Sequence, residues 1–105
     1  MAILEISVVP LGTGTPSLST HLAEIPRVLA ESGLRHQTHP MGTVVEGPAA
    51  ELLALAGRLH EAGFAGGAQR VSTHFILDDR RDVSRPMEEK VRSLERAGRV
   101  RAGAL

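Results

Sequence analysis

Pro40-Met41-Gly42-Thr43-Val44-Val45-Glu46-Gly47 reads as a strand ending in a turn, with Pro48 opening a helix behind it. The proline and the glycines bound the run, and Val44-Val45 gives it β-propensity. Glu46 is the odd residue, because a carboxylate beside two valines on a strand needs a reason. Working outward, residues 34–38 form a short strand and His39-Pro40 a turn, so residues 41–46 return antiparallel as its hairpin partner. With proline at its first position, the following helix runs to about residue 62. Leu52, Leu55, Ala56 and Leu59 make its inner stripe, and Gly63 ends it as a residue that tolerates positive φ.

Residues 3–9 form the first strand. Leu4, Ile6 and Val8 share an apolar face that should meet the helices, while Ile3, Glu5, Ser7 and Val9 share a mixed one. Pro10, with no N–H to donate, is expected to stop the ladder. A loop dense in Gly and hydroxyl residues follows, from Leu11 to Ser17. A helix over residues 18–32 then carries Leu18, Leu22, Ile25 and Leu29 at helical spacing, with a kink expected at Pro26 and Gly33 as its C-terminal cap.

Gly63-Phe64-Ala65-Gly66-Gly67 connects to a fourth strand over residues 69–77, in which Val71, Thr73, Phe75 and Leu77 alternate with Arg70, Ser72, His74 and Ile76. Asp78-Asp79-Arg80-Arg81-Asp82 reads as a charged turn. A third helix over residues 85–97 has Ser84 as its expected N-cap and a narrow stripe of Met87, Val91 and Leu94. Glu88 with Arg92 and Glu95 with Arg99 are spaced as i,i+4 pairs. Residues 100–105 read as a frayed tail.

The order is β-α-β-β-α-β plus a C-terminal helix. Right-handed crossovers then put both main helices on one face of a four-stranded antiparallel sheet, an α+β ferredoxin-like sandwich. Its second face is bare, and Ile3, Val9 and Ile76 on that side suggest pairing with another chain.

The 105 residues amount to one domain. Equal numbers of acidic and basic side chains, 12 of each, argue against a nucleic-acid partner, and weak charge repulsion suits an oligomer. Phe64 and Phe75 are the only Phe, Tyr or Trp residues, so no aromatic platform for bases exists. Cysteine is absent, which excludes disulfides and thiol chemistry. The N-terminus lacks the basic start and long apolar run of a signal peptide, and no run is long enough to span a membrane, so a cytoplasmic location is expected.

Taken in order, Ile6-Ser7-Val8-Val9-Pro10, Gly12-Thr13-Gly14-Thr15-Pro16-Ser17, Pro40-Met41-Gly42-Thr43 with Glu46-Gly47, His60-Glu61, Arg70-Val71, Asp78-Asp79-Arg80 and Lys90-Val91 resemble the small thiamine-binding proteins. These are single-domain relatives of the YkoF-type protein, which carries two such domains in one chain. The resemblance runs from Ile3 to about Leu94. It implies a ferredoxin-like fold, sheet-to-sheet dimers assembling into tetramers, and non-catalytic binding of thiamine or its pyrimidine precursor, hydroxymethylpyrimidine. Relatives often carry a tyrosine shortly before the Pro-Met-Gly-Thr segment. Here Arg35-His36-Gln37 stands there, which leaves either His36 in the ring's place or a different ligand.

Thiamine joins an aminopyrimidine to a cationic thiazolium, so its site needs a carboxylate, hydroxyls and close backbone approach. On the resemblance, Glu46 would accept from a protonated ring nitrogen or offset the positive charge. Thr43 and Ser7 would offer hydroxyls, Gly42 close approach and Met41 an adaptable thioether. The plainer reading of Glu46 is an exposed strand-end acid favoured by the next helix dipole. Thr13, Thr15 and Ser17, ahead of a helix N-terminus, are candidate contacts for an anion such as a phosphate ester, or simply a tight capped connection. The loop matches neither a Walker motif nor a dinucleotide fingerprint.

His36 and His39, three apart on an extended segment, point to opposite faces, which disfavours a metal site. His60 suits a helix C-terminus. No nucleophile triad or carboxylate pair stands out, so no catalytic residue is assigned and no cofactor is expected. Two other readings remain open: an oligomeric interaction module without a small ligand, and a small ferredoxin-like enzyme using His74.

Overall fold

In the computed structural model, the backbone is described for residues 1–82 and 85–103 and the side chains for residues 1–82 and 85–98. The elements are β1 (Ala2–Leu11), α1 (Ile25–Ser32), β2 (Arg35–His39), β3 (Gly42–Gly47), α2 (Ala49–Ala62), β4 (Arg70–Asp79) and α3 (Met87–Gly103). All three strand pairings are antiparallel, and the sheet order is β2-β3-β1-β4. This is the expected ferredoxin-like α+β arrangement.

Alternation decides which face of the sheet is buried. Leu4 and Ile6 on β1 and Val45 on β3 point to the side where α1 supplies Val28 and Leu29 and α2 supplies Leu52, Leu55, Ala56 and Leu59. Leu4, Val45 and Leu52 are fully buried. Burying each such aliphatic side chain contributes about 1.5–3 kcal/mol. His60 adds a polar tie from α2 to β4, its Nδ1 lying 2.7 Å from Thr73 Oγ1, and its ring sits edge-on to Phe64.

Several boundaries differ from the sequence expectation. The 18–24 segment is a set of turns, and α1 begins only at Ile25, with Pro26 in its first turn. There the missing N–H costs nothing, so the proline starts this helix instead of kinking it. Pro10 does not end β1. Pairing with β3 stops at Ile6, while pairing with β4 continues through Pro10 to Leu11, so the proline lies where β1 has a neighbour on one side only.

Gly33 caps α1 with φ 69°, as expected. Gly63 instead keeps helical angles, φ −63° and ψ −20°. Its reason is space, because a Cβ there would stand 2.7 Å from Val8 Cγ1 and 3.0 Å from Val71 Cγ1. The third helix continues through Gly103, past the expected end at residue 97 and through part of the expected frayed tail. The Ser84 cap and the Glu95–Arg99 pair fall outside the described residues and side chains.

The second face of the sheet is not wholly bare. Arg35, Glu46, Ile3 and Asp78 form one registered row across all four strands, and the first turn of α3 lies over it. Glu46 Oε2 accepts the Met87 N–H at 2.8 Å, Arg35 pairs with Glu88, and Lys90 with Asp78. Glu88 is therefore engaged with Arg35 and Gln37, and Arg92 bonds Glu89 instead. The hydrogen bond from Lys90, then its charge, holds the Asp78 carboxyl below the usual aspartate range. Beyond this turn Val91 and Leu94 are exposed.

Candidate functional site

The hairpin of β2 and β3 does not close tightly against α1. Between them lies a cleft of about 490 Å³ on the helix-covered side of the sheet. Alternation along the strands fills it from below with Ile6 and Val8 of β1 and Thr43 of β3, and from the hairpin with His36 and Thr38 of β2. Leu22, Ile25 and Leu29 form the opposite wall, and Pro40, Met41 and Gly42 the hairpin rim. The walls are thus mainly aliphatic, with a few hydroxyl and imidazole groups, which suits a small flat organic molecule. Among the described residues no carboxylate lines the cleft.

Thr43 is the most informative polar group in it. The residue is 7% exposed, and among the described residues its hydroxyl makes no side-chain hydrogen bond, although it is not among the fully enclosed polar atoms that lack one. A hydroxyl that borders a cleft and bonds nothing in the protein is available to a guest. His36 Nδ1–H donates to the Leu34 carbonyl at 3.0 Å, which leaves Nε2 of the neutral ring as an acceptor. Gly42 is required by the backbone. Its φ is 153°, and a Cβ would lie 2.6 Å from the Ile6 carbonyl oxygen.

Of the five residues expected to contact a ligand, Met41, Gly42, Thr43 and Ser7 border this cleft. Ser7 sits at its edge and also borders a shallow concavity on the opposite sheet face, with Glu5, Met41 and His74. Glu46 is elsewhere. Three residues from Thr43 on an extended strand, it points to the opposite face. It is 6% exposed, with Oε1 accepting from Arg35 at 3.2 Å and Oε2 from the Met87 amide. Its carboxylate is committed to holding α3, which is also why an acid can be buried on this strand. His36, offered above in the place of the relatives' ring, faces the cleft; Thr38 was not singled out, although period-two alternation from Thr43 across the hairpin indicates it.

The hydroxyl loop does not precede a helix N-terminus, since α1 starts at Ile25. Thr13 Oγ1 donates to the Thr15 carbonyl at 2.9 Å, the Ser17 N–H donates to Thr15 Oγ1 at 3.3 Å, and Thr15 and Ser17 are exposed. The loop therefore bonds largely to itself, and Thr13 also borders a cleft. Among the described residues no three His, Asp or Glu side chains converge as metal ligands, and no helix is long and apolar enough to cross a membrane.

Known proteins share this chain's sequence pattern and fold. The sequence pattern of the thiamine-binding protein family matches residues 4–95. The chain is 38% identical over 100 residues to the UPF0045 protein YqgV of Bacillus subtilis, covering 91% of this chain and 96% of that one. It is 41% identical over 100 residues to a UPF0045 protein of Staphylococcus xylosus, covering 91% and 94%. A hypothetical protein of Methanocaldococcus jannaschii, MJ1052, superposes with a TM-score of 0.80 at 29% identity, covering 90% of this chain and 95% of that one. A Thermotoga maritima structure, described as a putative thiamine biosynthesis/salvage protein, shares the fold with a TM-score of 0.73 at 22% identity, covering 89% and 97%. With the family pattern spanning both the cleft and the α3 anchor, this chain belongs to the thiamine-binding protein family.

Proposed function

We propose that the protein binds thiamine or hydroxymethylpyrimidine without transforming it, as a cytoplasmic carrier or sensor, with the aminopyrimidine ring in the cleft between α1 and the β2–β3 hairpin. The observation that carries this reading is the Thr43 hydroxyl, which bonds nothing among the described residues and borders a mainly aliphatic cleft. An aminopyrimidine offers an amino donor and ring-nitrogen acceptors, which Thr43, Thr38 and His36 Nε2 complement. Because no carboxylate lines the cleft, the cationic thiazolium of thiamine stays at the mouth, in water. Family membership supports the ligand class.

The test is thermal unfolding at increasing ligand concentration. Thiamine and hydroxymethylpyrimidine should both raise the melting temperature, to a similar degree, because the pyrimidine makes the contacts. No shift with either at millimolar concentration would defeat the proposal.

A second feature supports self-association. Ile76 is 67% exposed on the uncovered sheet face, and Leu94 on α3 is 75% exposed. A second copy packing sheet to sheet, as a dimer that further assembles into a tetramer, would cover them. Native mass spectrometry reads this directly; a monomer at micromolar concentration counts against it.

A further inference from the structure

A second cleft, of about 470 Å³, lies beyond the end of the first, bordered by Gly12 and Thr13 after β1, His21 in the turn segment, Gly67 and Gln69 before β4, and Arg70 at its start. Its charge is one-sided. Among the described residues no Asp or Glu borders it, although the chain as a whole is neutral. Arg27, Arg35, Arg58, Arg80, Arg81, Arg92, Arg96 and Lys90 each pair with a carboxylate, and Arg85 bonds Ser93. Among the described basic side chains, Arg70 stands alone without a partner. In a chain that satisfies its cations this thoroughly, a guanidinium at the edge of a cleft is available to an external anion.

The surroundings favour the same charge. His21 brings an imidazole to the wall, with its Nδ1 turned against Gly66 and closed off from solvent. Gln69 adds an amide, while the Thr13 hydroxyl proton is already given to the Thr15 carbonyl. Gly12 and Gly67 have φ of 70° and 96°, and a Cβ on either would meet nothing within 4 Å, so the backbone there faces open space. Backbone left uncovered in this way lets an anion approach closely.

We propose that this second cleft is an anion site that takes a phosphoryl group, with the Arg70 guanidinium as its principal contact and His21 beside it. The proposal stands apart from the pyrimidine cleft, with which it shares no lining residue. The phosphoryl group has two sources, free phosphate or a small phosphomonoester, and the experiment separates them. Inorganic phosphate and glycerol 3-phosphate are titrated calorimetrically into the full chain at low ionic strength. At least one of them should bind, the tighter one identifying the source, and about 0.5 M sodium chloride should weaken the binding by screening. Arg70→Gln should weaken it about fivefold or more, while Arg92→Gln, on α3, should leave it unchanged. Since Arg70 is exposed and bonds nothing, its substitution should not alter unfolding in phosphate-free buffer, nor the melting shift given by hydroxymethylpyrimidine. Absence of binding by both anions, or equal binding by Arg70→Gln and the unsubstituted protein, would overturn the proposal.

Discussion

Glu46 Oε2 and the backbone amide of Met87 meet at 2.8 Å across 41 residues of chain, so the carboxylate of a β3 residue caps the first turn of α3. The pairing places a negative charge at the positive end of a helix and satisfies an amide that no helical carbonyl can reach. The same carboxylate accepts from Arg35, which also holds Glu88. One buried acid thus ties two strands and a helix together.

Removing that acceptor should loosen α3 before anything else. Glu46→Ala is expected to lower unfolding free energy by about 1–3 kcal/mol, the cost of leaving buried polar partners unmet, and Glu46→Gln by less, because its amide oxygen still accepts. Amide exchange of Met87 and Glu88 should accelerate in step. Neither variant should lose the melting shift given by hydroxymethylpyrimidine, since Glu46 does not border the cleft.

Thr43→Val keeps the volume of a buried side chain and deletes only its hydroxyl. Stability should change by less than about 1 kcal/mol, because that hydroxyl bonds nothing in the protein. Ligand affinity should fall about fivefold to tenfold, one lost hydrogen bond. Isothermal titration beside a melting curve separates the two quantities.

Gly42→Ala should be severe. A new Cβ would lie 2.6 Å from a backbone oxygen of β1, which cannot move aside as a side chain can. The expected loss is about 2 kcal/mol or more, read by urea unfolding. Gly63→Ala also clashes, but with Val8 Cγ1, which a second substitution removes. The pair Gly63→Ala with Val8→Ala should therefore destabilise by less than the sum of the single changes, a coupling that Gly42 cannot show.

Acid should act on α3 through Asp78. Its folded-state affinity for a proton is lowered by Lys90, so its contribution is present above the usual aspartate range and is lost as pH falls through the lower folded value. The stability profiles of the unsubstituted protein and Lys90→Met should differ above about pH 4 and converge below it. Profiles separated by a constant offset down to strongly acid pH would contradict this linkage.

The order of strands and helices was legible because apolar residues alternate on β1 and β4, paired valines bounded by glycines mark β3, and apolar residues repeat at helical spacing in α2. Three placements were not read correctly, each for a physical reason. The stripe of Leu18, Leu22 and Ile25 has helical spacing, but Pro26 fixes the helix start and leaves the residues before it as turns. Thr43 and Glu46 were assigned to one cleft, although three residues along a strand reverses the facing; the parity was in the sequence and outweighed by the chemistry of the supposed ligand. The row that receives α3 joins residues from all four strands, and Glu88 reaches Arg35 over 53 positions. Such pairings have no local signature, so nothing in the sequence linked Arg35, Glu46 and Asp78 to one another or to the third helix.

Seating a helix by one end makes it a pointer for the sheet beneath. The 17 residues of α3 extend about 25 Å at 1.5 Å per residue. A tilt of about 10° at Met87 therefore swings the far end by roughly 4 Å. A small change of strand twist along the Arg35–Glu46–Ile3–Asp78 row, too slight to disturb the packing above, would be magnified into a displacement large enough for a neighbouring molecule to sense.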